Sequence, residues 1–212
     1  MQRSSSDRDF AGYNAAQAQR AVRPLAIAAV EAAGHGRQGA GHGRKGARQP
    51  EPGRPIAIEL GCGSGIEARH LAENGFTVHA YDVDPSVAPV LAELAAVLPV
   101  HPEIRDLTEV EALPGADLIL ACASLPFVRR DAFDRLWAAM REALRAQGVL
   151  AVDLFGEHDD WAETDSTFLS RDEVGALLEG YEVLESTEKE RDGRSFSGPK
   201  HWHTFRILAR RL

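Results

Sequence analysis

The chain predicts a doubly wound α/β sheet, mostly parallel, with its final strand reversed. Short apolar runs alternate with amphipathic segments from residue 56 onward, so strands and helices come in turn. The first run ends in glycines at every second position, "LGCGSG" at 60–65, and a helical pattern starts at once. The last two runs have no helix between them and are joined by the polar "RDGRSFSGPK", residues 191–200, so the final strand turns back on its predecessor.

Each element follows from its residues. Positions 7–33 are rich in Ala, Gln, Arg and Leu, with Pro24 the main breaker, and predict one or two helices that cap the core, a segment bounded as 1–33. Residues 34–55 hold an imperfect tandem repeat, "GHGRQGA" then "GHGRKGA", trailing into "RQPEPGRP". Nothing there can build a core, so it reads as a flexible Gly/Arg-rich linker. Its sharper alternative is an anion-touching arm, since Arg37, Arg44, Lys45, Arg48 and Arg54 outnumber Glu51; His35 and His42 alone make a poor metal site.

The core, 56–212, begins with strand Ile56–Leu60 and helix Ile66–Glu73, stopped by Asn74-Gly75. Phe76–Tyr81 alternates as a strand. A helix follows between Ser86 and Leu98, with Pro89 tolerable in its first turn. Val100–Ile104 carries Pro102 and follows Pro99, which assigns it to a sheet edge. Asp117–Cys122 is a buried strand. Helix Asp131–Ala146 aligns Phe133, Leu136, Trp137, Met140 and Leu144 on one face. Val149–Phe155 is the fifth strand, and Ser170 with Glu173 forms a capping box for a helix running to Gly180. Strands Tyr181–Glu190 and His201–Ala209 complete a seven-stranded sheet, the last strand antiparallel near one edge.

Composition narrows the function. The 212 residues are 44% hydrophobic and 26% charged, as in one soluble domain. The formal charge of -8 argues against a nucleic acid partner, which wants a broad basic surface. The opening "MQRSSSDRDF" lacks the apolar stretch of a secretory signal, and no run reaches membrane-spanning length. Cys62 and Cys122 make neither a disulfide framework nor a metal cluster, so the expectation is a cytoplasmic protein with reduced thiols and no metal.

The glycine loop raises a choice of ligand. A dinucleotide fingerprint is G-x-G-x-x-G, whereas position 66 here is Ile and the spacing is G-x-G-x-G. Glu59, just before the glycines, would repel a pyrophosphate and suit an ammonium or hydroxyls. Asp82 ends the second strand, where it can accept from a ribose diol, and Asp106 follows the third, within reach of an adenine amino group.

With "IELGCGSG", Asp82, Asp106 and "DLILACASLPF" in that order, the chain resembles the class I S-adenosylmethionine-dependent methyltransferases over residues 56–210. It is closest in pattern to a bacterial small-molecule subgroup that includes tellurite-resistance-type enzymes, through Ser124–Phe127, Phe155–Trp161 and Lys200–His203. One departure is "RAQGVL" before the fifth strand, where the family more often has Pro-Gly-Gly. The resemblance implies a Rossmann-like fold, S-adenosyl-L-methionine as cofactor and a small-molecule methyl acceptor. It implies that Gly61, Cys62, Gly63 and Gly65 let the backbone approach the cofactor and that Glu59 holds the methionine ammonium. Asp82 would bind the ribose hydroxyls, Asp106 with Leu107 the adenine end, Val83 would be a further cofactor contact, and Ala123 or Ser124 would lie beside the sulfonium.

Strand direction carries the acceptor side. Ligands sit at the carboxyl ends of strands, and the reversed last strand begins at the same rim, so "SLPF", "FGEHDDW" and "KHWH" converge there. Methyl transfer from a sulfonium is an in-line displacement. Orientation supplies about 7–11 kcal/mol and a general base about 3–5 kcal/mol, so positioning dominates. His158 and then His201 are the candidate bases. Tyr13, Phe127, Trp161 and Trp202 are candidate substrate walls. Three rival functions are an NAD-dependent oxidoreductase, an RNA methyltransferase guided by the linker, and a non-catalytic S-adenosylmethionine-binding module. Acceptor atom and oligomeric state stay open at this level.

Overall fold

The computed structural model describes residues 9–34, 53–162 and 164–212; most of the 34–55 linker lies outside them. Helix α1 (Phe10–Gln17) starts at Asp9, whose side chain accepts from the Gly12 N–H at 2.7 Å, and none of its residues is buried. Helix α2 (Pro24–Gly34) opens on proline and buries Leu25, Ala26 and Ala29. Then come β1 (Ile56–Leu60), α3 (Ile66–Glu73), β2 (Thr77–Asp82), α4 (Ala88–Val97), β3 (Val100–Ile104), β4 (Ala116–Ala121), α5 (Arg130–Ala143), β5 (Leu144–Gly156), β6 (Phe168–Leu169), α6 (Arg171–Leu177), β7 (Tyr181–Ser195) and β8 (Gly198–Arg211).

The strands form one sheet in the order β3-β2-β1-β4-β5-β8-β7. All neighbours from β3 to β5 pair in parallel, and β8 is antiparallel to both β5 and β7. β3 is an edge strand, where Pro102 costs no ladder hydrogen bond on its free side. One face of the sheet buries Leu25, Ala68, Leu71, Leu91 and Leu94 from α2, α3 and α4. The other buries Phe133, Leu136 and Met140 of α5 with Val174 of α6. The core helices therefore cover both faces, as a parallel sheet requires.

The structure departs from the sequence reading in four places. The α5 helix ends at Ala143 rather than Ala146, because Leu144 pairs with Ala116 and opens β5. Residues 145–148 then bulge out before Val149 pairs with Leu118, with Gln147 at φ 63. The fourth helix starts with a 3-10 turn, Pro85–Val87, capped by the side chain of Asp84. A two-residue β6, pairing with Phe155 and Gly156, makes eight strands among the described residues where seven were expected. Finally, the polar segment 191–200 is largely strand: β7 and β8 stay in register to Ser195 opposite Gly198, leaving Phe196 and Ser197 as the turn. β7 is an edge strand with mostly exposed residues, so charges occupy the positions where apolar alternation would have marked it.

Candidate cofactor and acceptor site

Between β1 and β4 the sheet order reverses, and loops leaving the two strands open a crevice at their carboxyl ends. A cavity of about 1330 Å³ lies there, lined by the glycine loop, the ends of β2 and β4, α1 and the β7–β8 turn. Single small-molecule pockets hold roughly 300–1,000 Å³, so this one has room for a cofactor and an acceptor side by side.

The glycine loop is built by its neighbours. Gly61 stands at φ 75, and a Cβ there would fall 2.2 Å from that of Ser124, whose Oγ donates to the Leu60 carbonyl at 2.5 Å. Only a residue without a side chain lets β1 and β4 exit so close together. The N–H groups of Gly61 and Cys62 both donate to the Tyr81 carbonyl, at 2.8 and 2.9 Å. Asp82 closes the arrangement: it accepts from the N–H of Gly63 at 2.6 Å and of Asp84 at 2.9 Å. Burial pushes its carboxyl up, against those hydrogen bonds. Gly65 plays another part. It sits at φ 77 as the N-cap of α3, where a Cβ would press on Leu91 and Leu94 at 2.9 Å. It packs α3 against α4 and does not line the cavity, contrary to its expected cofactor role.

Of the other expected cofactor residues, Cys62, Val83, Asp106, Leu107, Ala123 and Ser124 line the cavity together with Gly61, Gly63 and Asp82. Asp106 spends one oxygen on the Thr108 N–H at 2.8 Å. Ala123 holds φ 58, a left-handed backbone at the mouth of the crevice. Glu59 is not part of the wall. It is buried just beneath the loop, with Oε2 lacking a hydrogen-bond partner, and burial, then Glu67, push its carboxyl well above the usual carboxylate range.

Sequence reasoning missed the polar strap that holds the N-terminal segment down. Glu67, in the first turn of α3, takes both guanidinium nitrogens of Arg20 at 2.5 Å and the Arg23 N–H at 3.0 Å. Those bonds, led by Arg20, hold the Glu67 carboxyl below its ordinary range despite burial. Arg23 donates onward to the Tyr13 hydroxyl at 3.0 Å, and Asn14 donates to Asp84 at 2.9 Å. Arg20, Arg23, Asn14 and Asp84 all line the cavity. No motif marks them, because Glu67 and Asp84 lie 44 to 70 residues from the N-terminal groups they bind.

At the other end, Tyr13, Phe127, Trp161 and Trp202 line the cavity as expected, and Phe155 joins them. The three distant segments do meet: Phe127, Phe155, Trp161 and Trp202 contact one another at ring-centroid distances of 5.6–6.1 Å. Behind them Lys200 and Asp159 form a buried ion pair. Tyr13 meets Phe196 of the hairpin turn at 6.1 Å, so α1 and the turn touch across the opening.

His158 and His201, the expected bases, do not line the cavity. In β8, Lys200 and Trp202 point to one face, so pleating sends His201 and His203 to the other. There His201 meets Asp192 at 2.8 Å and His158 meets Glu190 at 3.0 Å. These partners, Glu190 for His158 and Asp192 for His201, raise both imidazoles above the ordinary range. His158, Glu190 and His203 bring their ligand atoms within 4.8 Å of one another. However, His203 Nδ1 accepts from the His158 N–H at 3.2 Å, which leaves the ring proton on Nε2, facing Glu188 at 3.0 Å. That commits His203 to a hydrogen bond rather than to a cation.

A family model described as a methyltransferase domain matches residues 58–150, which span the glycine loop, Asp82, Asp106 and Ser124. A curated relative from Geobacillus sp. (strain WCH70), named as a methyltransferase, is 28% identical over 125 residues, covering 55% of this chain. The chain spans about half of that relative, 49%. Among solved structures, TehB from Haemophilus influenzae superposes with a TM-score of 0.66 at 18% identity, over 76% of this chain and 59% of that one. A Burkholderia thailandensis 1,6-didemethyltoxoflavin-N1-methyltransferase, solved with bound 1,6-didemethyltoxoflavin and S-adenosylhomocysteine, superposes with a TM-score of 0.62 at 20% identity, over 98% of this chain and 83% of that one.

Proposed function

We propose that this chain, whose core has the fold of the class I S-adenosylmethionine-dependent methyltransferases, binds S-adenosylmethionine in the crevice and passes its methyl group to a small molecule. One observation carries the reading: a backbone turn pinned by Asp82, with an unpartnered Glu59 oxygen buried beneath it. A pyrophosphate is repelled by a carboxylate that closes its cradle, as Asp82 does here, whereas a ribose diol hydrogen-bonds to it.

In this reading Asp82 accepts from the ribose hydroxyls with the lone pairs its backbone donors leave free. Asp106, Leu107 and Val83 frame the adenine, and Arg20 and Arg23 face the methionine carboxylate. The cofactor supplies an activated methyl on a positive sulfur. The protein contributes alignment and exclusion of water. Neither His158 nor His201 reaches the cavity, so the transfer rests on orientation, the larger of the two contributions weighed above. The strongly acidic chain and an aromatic acceptor end favour a small molecule over RNA.

Titration calorimetry tests this with S-adenosylmethionine, S-adenosylhomocysteine and NAD. The first two bind, NAD does not, and Asp82→Asn weakens both by at least tenfold. Because Asp82 also ties Gly63 and Asp84, the Asn variant, which keeps an acceptor oxygen, is the cleaner probe than Ala. Tight NAD binding, or unchanged affinity in Asp82→Asn, sinks the proposal.

A further inference from the structure

Resting on the methyltransferase reading, we infer that the acceptor half of the cavity takes a flat, uncharged aromatic or heteroaromatic molecule, and that Lys200 and Asp159 are the positioning pair that sets its walls.

The walls are mostly rings, with Thr164, Asp165, Ser195 and Ser197 the polar part of the same lining. Phe10 contacts Phe127 at 5.8 Å, and Phe127 leads through Phe155 and Trp161 to Trp202 in a chain of edge and tilted contacts. Such edge-on arrangements leave ring faces and edges to receive another ring, and aromatic pairs gain beyond the area they bury.

A box of aromatic rings ordinarily suggests a cationic ligand. Here the box already has its cation. Lys200 Nζ lies 3.7 Å from the Trp202 ring centroid, 4.2 Å from that of Trp161 and 4.9 Å from that of Phe155. Its side chain is 1% exposed and does not line the cavity, so it works from behind the rings. The ammonium draws on the same ring electrons that a ligand cation would need, and Asp159 neutralises it, leaving no net charge behind the wall. An amine or quaternary ammonium therefore gains little from these rings.

An oxyanion fares no better. The basic side chains of the lining serve elsewhere: Arg20, paired with Glu67, and Arg23 face the methionine carboxylate at the cofactor end, and Arg129 pairs with Asp131. A small hydrated oxyanion would give up water to meet apolar rings. What remains is a neutral π system, for which stacking and burial act together.

Asp159 explains how the walls are fixed. It is fully buried, accepts from both sides of the loop–strand junction (the Trp161 N–H at 3.0 Å and the His203 N–H at 3.3 Å), and holds the Lys200 ammonium with both oxygens. One carboxylate thus sets Trp161, on the loop after β5, against Trp202, on β8. Their centroids stand 5.6 Å apart, close enough for their indole transitions to couple.

The experiment uses the full chain, titrated first with S-adenosylhomocysteine by calorimetry. The saturated complex is then titrated with 1-naphthol, its saturated counterpart decahydro-1-naphthol, choline and sodium selenite. Naphthol should bind at least tenfold more tightly than decahydronaphthol, with no heat from choline or selenite. In Trp161→Leu/Trp202→Leu that preference should collapse to within threefold, with the homocysteine affinity held within threefold. In Lys200→Met/Asp159→Asn, which removes the pair without stranding a charge, the near-ultraviolet circular dichroism of the Trp161–Trp202 couple should fade and naphthol affinity fall about tenfold. Equal affinity for naphthol and decahydronaphthol, or binding of selenite or choline in its place, overturns the aromatic assignment. An unchanged dichroism and naphthol affinity in the Lys200/Asp159 variant overturns the positioning role. Failure of S-adenosylhomocysteine to bind at all would instead overturn the cofactor reading, and the two failures are thereby told apart.

Discussion

Glu59 and Gln147 each hold a conformation or charge state that the rest of the chain opposes. Burial favours the neutral form of Glu59, while the positive charge of a cofactor bound on the other side of the glycine loop would favour the ionised one. Binding should therefore release a proton. Calorimetry in buffers of different ionisation enthalpy should show buffer-dependent heats for the native chain and buffer-independent heats for Glu59→Gln. The sign for stability follows. An acid whose folded pKa is raised lowers stability once pH passes its unfolded value, so Glu59→Gln should melt higher than the native chain at pH 7.5 without cofactor, and bind it more weakly. Gln147 pays for a left-handed backbone at the bulge of β5. Gly there avoids the steric penalty at a smaller entropic cost, so Gln147→Gly should stabilise by about 0.5–1 kcal/mol in urea unfolding. Both residues were visible in the sequence to different degrees. Glu59 stood out beside the glycines, whereas the strain at Gln147 surfaced only as a departure from Pro-Gly-Gly.

At the level of elements, α1 and the β7–β8 turn are the parts held least by apolar burial. The helix buries no residue and is fastened by Asn14 to Asp84, Tyr13 to Arg23, and edge contacts to Phe127 and Phe196. Few buried contacts mean a low cost of local opening. Amide exchange in residues 10–17 should be fast in the free chain and slow at least tenfold with S-adenosylhomocysteine bound, while α5 stays protected in both. Equal exchange in the two states would show that the helix does not respond to the crevice. The long elements were legible beforehand because apolar spacing alone sets them; α5, with Phe133, Leu136, Trp137 and Met140 on its core side, is the plainest case. The hairpin was not, because charged side chains hid its pairing. The histidines were misplaced for a different reason. In "KHWH", Trp202 lining the cavity already excludes His201 from it by strand alternation, a signal present in the sequence but outweighed by the nearness of all four residues to the rim.

For the whole molecule, stability should fall on both sides of a middle pH range. Glu67 is held below its ordinary pKa of 4.5, so its contribution is present above that value and is lost as pH falls through the folded pKa. His158 and His201 are raised above 6.5, so theirs is present below that value and fades as pH rises through the folded pKa. Melting followed from pH 3 to 9 should show Glu67→Gln flattening the acid limb, and Glu190→Gln shallowing the alkaline limb by a smaller amount, since its partners face solvent. Proton resonances of the two imidazoles give a separate check: Glu190→Gln should bring the His158 midpoint down toward 6.5. These effects link distant parts of the chain, Glu67 to the N-terminal strap and Glu190 to the loop after β5. That is why they could not be seen from local pattern.

The place of β8 has a consequence for synthesis. Residues 198–211 slot between β5 and β7, although they leave the ribosome after the other strands of this sheet. Until they emerge, the nascent sheet carries β5 with one flank bare, Trp202 is missing from the pocket wall and Lys200 from behind it. A premature stop near residue 198 would therefore remove an interior plank rather than a fringe, giving a product fit for proteolysis or self-association instead of a trimmed domain.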